Sequence, residues 1–254
     1  MNNNAYNEHN IEWLSASMIN LYIADPAMAM MKLAGFKGYA GASAWRGIGV
    51  DKALTTAIQI SDMELDSVIS LGKKEMSKYK PKPFMDGYSE KYTKEEKTLE
   101  RCITKAFDGF IQKYRQKDLI ASQGKITLEI EDIPIPFIGY YDWLFDDCVV
   151  DLKSKGQKTS KADEGVHRQL AIYSKATGKP PIVAYVSPND ITEIEIHDVE
   201  KHLDNIRTAS FNLERILSYS SDIEECCRLL YPNFDHWMWG ESEITQAKKI
   251  WRIK

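Results

Sequence analysis

Residues 139–153, Gly-Tyr-Tyr-Asp-Trp-Leu-Phe-Asp-Asp-Cys-Val-Val-Asp-Leu-Lys, restrict the fold more than any other stretch of the chain. Two runs of aromatic and β-branched residues flank Asp146-Asp147, the pattern of two strands joined by a tight turn. A two-residue turn there pairs Phe145 with Cys148 and so sets Asp142 opposite Asp151. Directly opposed residues share one face of a sheet, with Cβ atoms about 5 Å apart. Lys153 lies two residues beyond Asp151 and projects from the same face. Two carboxylates held this way repel each other unless a cation stands between them, and a hard divalent ion such as Mg²⁺ meets that need. The stretch therefore reads as a metal site with a lysine beside it.

The rest of the chain can support such a hairpin. Its 254 residues are 43% hydrophobic and 28% charged, enough for a sizeable core and unlike a disordered chain. The net charge of −4 argues against coating nucleic acid by bulk attraction but leaves room for a local basic groove. No apolar run approaches the roughly 20 residues that span a bilayer. The opening Met-Asn-Asn-Asn-Ala-Tyr-Asn-Glu lacks the regions of a signal peptide. A cytoplasmic protein with no membrane partner is expected, in the host cytoplasm if a phage encodes it. Cys102, Cys148, Cys226 and Cys227 show no C-x-x-C spacing and read as small buried hydrophobes.

Helical spacing of Ile11, Leu14, Met18, Leu21 and Tyr22 predicts helix over 11–34, with Ser15 or Ser17 as a cap and Pro26 in a first turn. Residues 35–49 read as a glycine-bearing connector ending in Trp45-Arg46-Gly47. Helices are predicted over 49–60 and 61–79, broken at Lys80-Pro81-Lys82-Pro83. A long helix over 94–117 carries the stripe Leu99, Ile103, Ala106, Phe110 and Tyr114. Strands are predicted at 125–131, 136–145 and 148–153, then a basic loop over 154–161, a helix over 162–177 stopped by Gly178, and strands at 181–187 and 191–197. The tail reads as mostly helical, with an aromatic cluster of Tyr231, Phe234, Trp237, Trp239 and Trp251. Together these predict a single α/β domain over 1–254: a helical part over 11–120, an α/β core over 121–200 with a mixed central sheet flanked by helices, and a helical part over 201–254.

Gln169 and Tyr173 lie four apart on the 162–177 helix and so share a face, one that can look back at Asp151 and Lys153. Asp142, Asp151-Leu152-Lys153 and Gln169-x-x-x-Tyr173 resemble the motifs of the RecB-like branch of the PD-(D/E)XK nuclease superfamily. Leu-Ser-Ala-Ser-Met-Ile-Asn-Leu-Tyr-Ile-Ala-Asp-Pro resembles the opening of that branch. Trp-Arg-Gly-Ile-Gly-Val-Asp51-Lys-Ala-Leu is similar to its early helix, and Tyr-Pro-Asn-Phe-Asp-His-Trp-Met-Trp to the C-termini of phage recombination exonucleases. The resemblance spans roughly residues 11–240.

It implies a restriction-endonuclease-like core and a Mg²⁺- or Mn²⁺-dependent deoxyribonuclease. Asp142, Asp151, Lys153, Gln169 and Tyr173 are then catalytic. Asp51, Asp142, Asp151 and the Leu152 carbonyl are then the metal ligands. Asp51 stands where relatives carry Glu or His and has a shorter reach. Lys153 is expected to position and help deprotonate the attacking water, or to stabilise charge on the phosphorane. Candidate DNA contacts are Ser15, Ser17, Arg46, Lys155, Lys158 and Arg168. Helix capping explains the two serines equally well, a carboxylate partner explains Arg46, and a solvated loop explains Lys155 and Lys158. Relatives with an iron–sulfur cluster carry Cys before the early Pro and near the C-terminus. Here Ala24-Asp25 precede Pro26, and Trp237 and Trp239 stand in the tail, so no cluster is expected and aromatic packing is expected to close the fold.

The activity implied is 5′-to-3′ hydrolysis from duplex ends in phage-type recombination or DNA processing. A ring-shaped homo-oligomer and a single-strand annealing protein are the partners that relatives suggest. Three rivals stand beside it: a CRISPR-adaptation-like nuclease trimming single-stranded overhangs, a DNA-binding module that has lost catalysis, and a restriction-type endonuclease.

Overall fold

Five strands form one mixed sheet in the order β1-β2-β3-β4-β5. The computed structural model describes residues 4–38, 40–80 and 88–253; Pro81 to Pro83 of the predicted break lie outside them. The strands are β1 Leu119–Leu128, β2 Phe137–Phe145, β3 Val149–Ser154, β4 Pro181–Val186 and β5 Ile191–Glu195. Neighbours are antiparallel except β3 and β4, which run parallel. That parallel pair requires a crossover, supplied by a helix over Glu164–Thr177. Asp163 caps this helix by accepting from the Val166 N–H at 2.9 Å, and Gly178 ends it at φ +69°.

Helices α1 Ala5–Glu8, α2 Ala16–Ala24, α3 Pro26–Leu33, α4 Ala42–Gln59, α5 Leu65–Ser77, α6 Tyr88–Ala106 and α7 Gln112–Arg115 precede the sheet. The crossover helix is α8, and α9 Val199–Leu217, α10 Ile223–Arg228 and α11 Glu241–Ile250 follow the sheet. The two sheet faces bury two cores. Val149, Val183 and Tyr185 pack with α2, α3, α8 and α9, whereas Val150, Leu152, Ala184 and Val186 pack with α4, α5 and α6. All four cysteines are buried and unpaired. No helix among the described residues is long and apolar enough to cross a membrane.

The expected mixed α/β architecture is observed, with several corrections. Residues 11–15 are not helical: Leu14 N–H donates to the Pro136 carbonyl at 3.0 Å and its own carbonyl accepts from Ile138 at 2.8 Å, adding a short strand-like bridge beside β2. Helix α4 begins at Ala42 rather than near 49, so Trp45, Arg46 and Gly47 lie inside it. Gly49 does not break this helix but lets α5 approach. A Cβ there would meet the Gly72 carbonyl at 2.7 Å and Leu99 Cδ1 at 2.6 Å.

The predicted 94–117 helix starts at Tyr88 and breaks at Asp108-Gly109, where Gly109 takes φ +58°. Its whole apolar stripe is nonetheless buried. Strand β1 starts six residues before the predicted 125, because most of its side chains are exposed or half-buried and leave no apolar alternation. In the tail, Trp237 and Tyr231 are exposed instead of joining an aromatic cluster.

The tail closes on the N-terminal half through a buried contact. Asp25 Oδ1 caps α3 by accepting from Met28 N–H at 2.9 Å, and its Oδ2 accepts from Trp239 Nε1 at 2.6 Å. Trp239 packs edge-on against Phe234 and Trp251. Asp25→Ala removes a cap worth about 1 kcal/mol and strands a buried indole N–H, costing about 1–3 kcal/mol more. A loss of roughly 2–4 kcal/mol is expected in urea unfolding, and an unchanged midpoint would show the link to be idle.

Candidate active site

The β2–β3 turn forms as its two-residue spacing requires. Trp143 pairs with Val150 and Leu144 with Val149, and the Phe145 N–H donates to the Cys148 carbonyl at 2.8 Å. The ladder extends no further toward Asp142: the Leu152 N–H donates at 2.6 Å to the Asp142 carboxylate instead. Strand β2 also turns over here. Gly139 faces α8, where a Cβ would lie 2.7 Å from the Tyr173 ring, whereas Trp143 faces α4 and donates its indole N–H to Thr55 Oγ1 at 2.8 Å. Residues four apart on a regular strand share a face, so the strand is irregular between them. On β1, Gln123 lies between residues paired with Tyr141 and Trp143 and adopts φ +52°, a conformation rare outside glycine. Such irregularities re-aim side chains. Here one lets groups from both layers of helices meet at Asp142.

Asp51, from α4, arrives from one layer. Its carboxylate accepts from Thr55 Oγ1 at 3.2 Å and from Gln123 Nε2 at 3.0 and 2.9 Å. The same Gln123 amide donates to Asp142 Oδ1 at 3.2 Å, so one NH₂ group spans two carboxylates. From the other layer, Gln169 Nε2 donates to Asp151 Oδ1 at 3.2 Å and to the Tyr173 hydroxyl at 2.7 Å. Lys153 Nζ lies 2.6 Å from Asp151 Oδ2. That ion pair lacks good hydrogen-bond direction, so the buried Oδ2 keeps unsatisfied acceptor capacity. Asp51, Asp142, Asp151, Lys153, Gln169 and Tyr173 thus lie together, with Asp51 reaching the cluster despite its short side chain. Of Leu152, it is the N–H that engages a member of the cluster.

Burial and mutual repulsion dominate the electrostatics. Burial raises Asp51 to about 6, with the Asp151 charge adding to the rise and Thr55, Gln123 and Lys153 opposing it. Burial, then the charges of Asp151 and Asp51, hold Asp142 well above the usual carboxylate range. Burial raises Asp151 too, against the pull of Lys153. Burial pulls the Lys153 ammonium down, but Asp151 and Asp142 outweigh it and leave the group raised. Three carboxylates that favour a proton also favour a cation, and their hard oxygens suit Mg²⁺ or Mn²⁺. Among the described residues no three His, Cys, Asp or Glu side chains are arranged to cage an ion as they stand; the Gln123 amide lies between Asp51 and Asp142. The donor chemistry and the under-satisfied Asp151 oxygen nonetheless fit a divalent ion.

The expected DNA contacts are placed differently from one another. Ser15 caps α2, accepting from Met18 N–H at 3.1 Å, and bonds the exposed Ser17 hydroxyl at 2.9 Å. Arg46 is buried, ion-paired with Glu95, and donates to Ser154 Oγ at 3.1 Å and the Ser154 carbonyl at 3.2 Å; a carboxylate, then, is what it holds. Arg168 is buried and donates to Asn20 Oδ1 at 2.6 Å. Lys155 lies over the Tyr185 ring, and Lys158 pairs with Asp190 at 2.7 Å. Gln123 and Thr55 were not expected at the site. The position of Gln123 opposite Asp142 would have revealed it, had the β1 register been readable. A cleft of about 280 Å³ beside Gln169 and Tyr173 is lined by the exposed rings of Trp13 and Tyr140.

Neither a protein-family model nor a curated protein matches the chain. Among solved structures, the crystal structure of SSO0001 is similar at 12% identity and a TM-score of 0.33, over 78% of this chain and 84% of that one.

The raised carboxylates make a stability prediction for the metal-free protein. A folded-state value near 6 for Asp51 against an ordinary 3.8 means the native state binds more protons across that window. The contribution is therefore favourable below the ordinary value and lost as pH rises through about 6. In EDTA, Asp142→Asn is expected to raise Tm at pH 8. Relief of ~1–2 kcal/mol corresponds to roughly 3–6 °C in a chain of this size. The gain should shrink toward pH 5. Equal melting of both proteins at both pH values would rule out the repulsion.

Proposed function

We propose that this protein is a divalent-metal-dependent deoxyribonuclease with a PD-(D/E)XK core, acting as an exonuclease on duplex ends. The observation that carries the reading is the meeting of Asp51, Asp142, Asp151 and Lys153 at one irregular point of the sheet. The succession of three antiparallel strands, a crossover helix and a parallel fourth strand supports it.

Asp51, Asp142 and Asp151 would hold the ion. Bound Mg²⁺ would supply Lewis-acid chemistry, neutralising phosphate charge and making a bound water more acidic. The residues do the rest. An ammonium paired with a carboxylate carries protons to donate and no lone pair, so Lys153 stabilises charge developing on the phosphoryl oxygens rather than acting as the base. Gln169 fixes Asp151 and the Tyr173 hydroxyl in one hydrogen-bonded row. Gln123 holds Asp51 and Asp142 together through its neutral amide, the position a bound cation would take over. Gly139 keeps the space above β2 open for the Tyr173 ring.

Trimming of single-stranded overhangs is a second reading, favoured by the Trp13–Tyr140 cleft, because exposed aromatic faces accept unstacked bases.

End-labelled linear duplex, closed circular duplex and single strands, each with Mg²⁺ or EDTA, test the proposal. Mg²⁺-dependent loss of linear duplex alone supports the exonuclease, loss of single strands supports the second reading, and cutting of circles indicates an endonuclease. Asp151→Ala should abolish cleavage while DNA binding persists. Lys153→Ala should slow it by roughly 10²–10³-fold with metal affinity little changed. Normal cleavage by Asp151→Ala would refute the site.

A further inference from the structure

Helix α6 carries a second charged feature that the acidic cluster does not use. At 100° per residue, Lys94, Lys97, Arg101 and Lys105 fall within an arc of about 80° on its outward side, and all four are exposed. Between Lys94 and Lys105 the acids of the helix are turned to its flanks and engaged there. Glu95 pairs with the buried Arg46, Glu100 pairs with Lys73 at 2.6 Å, and Glu96 lies beside Tyr92. Glu90, one turn before Lys94, ends the basic run. Lys94 and Lys97 have no carboxylate partner among the described residues. Arg101 donates to the neutral Asn189 side chain at 2.6 Å. Lys105 stands near Asp190, which already pairs with Lys158.

An ordinary solvated helix face mixes charges of both signs. In a chain of net charge −4, a crest that from Lys94 to Lys105 carries four cations and no acid, with Glu95 and Glu100 ion-paired at its flanks, is suited to a polyanion. The four cations rise over about 16 Å of helix, the axial span of about five phosphates on one DNA strand. The helix also borders the candidate site: the Arg46 that Glu95 holds also grips Ser154, the residue after Lys153.

We propose that this crest of α6 is a track for the sugar-phosphate backbone of duplex DNA, steering a duplex toward the acidic cluster. The proposal rests on the nuclease reading for the identity of its polyanion. A duplex rather than an unstacked strand follows from the absence of any aromatic side chain from the crest between Lys94 and Lys105, since single-strand grooves rely on base stacking.

The test is anisotropy of a labelled duplex in EDTA over a series of NaCl concentrations. Each phosphate contact adds about 0.9 to the slope of log K against log salt. The variant with Lys94→Gln, Lys97→Gln, Arg101→Gln and Lys105→Gln should lose about 3.6 units of slope. Its melting temperature should stay close to wild type, because the four side chains are exposed. Lys94→Arg with Lys97→Arg and Lys105→Arg should keep the wild-type slope. An unchanged slope in the Gln variant, or a wild-type protein that binds no duplex, overturns the track. Cleavage of duplex by a Gln variant whose slope is unchanged overturns the track alone. A slope lost as expected in a protein that cleaves nothing with Mg²⁺ keeps the track and removes the nuclease.

Discussion

Three carboxylates gathered in a poorly solvated place are the constraint around which the rest of this structure is arranged. Asp51, Asp142 and Asp151 each pay a desolvation cost, and the Asp151 charge raises the proton affinity of the other two. Such a cluster persists only if neighbours supply positive potential from fixed positions. Gln123 does so with an amide shared between two carboxylates, Lys153 with an ammonium, and Leu152 with a backbone N–H. Each supplier belongs to the sheet, so the rigid part of the molecule holds the frustrated one. A protein selected for stability alone would have no reason to keep the arrangement, which supports the proposed function.

The irregularity of β1 and β2 makes the gathering possible. In a regular sheet the α4 layer and the α8 layer are separated by the full thickness of the strands. Gln123 in a left-handed conformation and the reversal of β2 between Gly139 and Trp143 locally undo that separation. Asp51, tied through Gln123 to Asp142, and Gln169 with Tyr173, bonded at Asp151, then reach the same carboxylate cluster from opposite sides. The strain of one non-glycine residue at positive φ, of order 1 kcal/mol or more, is small beside the electrostatic coupling it permits.

Much of this was legible in the sequence, and the exceptions have physical causes. A two-residue turn leaves little freedom of register, so the pairing of Trp143 with Val150 and Leu144 with Val149 could be read directly, whereas the expected pairing of Asp142 with Asp151 is replaced by the Leu152 N–H bond to the Asp142 carboxylate. The connection between β1 and β2 is longer and fixes nothing, so Gln123 could not be placed opposite Asp142. Its left-handed backbone further breaks the alternation on which strand reading depends. Gly47 and Gly49 look like helix breakers because propensity is local, whereas the close contact of Gly49 with Gly72 is tertiary. Arg46 looked available for a phosphate because nothing in sequence announces that Glu95, forty-nine positions later, will claim it.

The bond between Asp25 and Trp239 spans 214 positions of sequence, and Tyr6 reaches Ser210 over a comparable separation. Ribosomes emit roughly 5–20 residues per second, so the first helices wait on the order of ten seconds or more for these mates to emerge. During that interval the apolar side of α2 and α3 has no permanent cover. Such long-range fastening places the interval of greatest exposure before synthesis is complete rather than in the finished molecule.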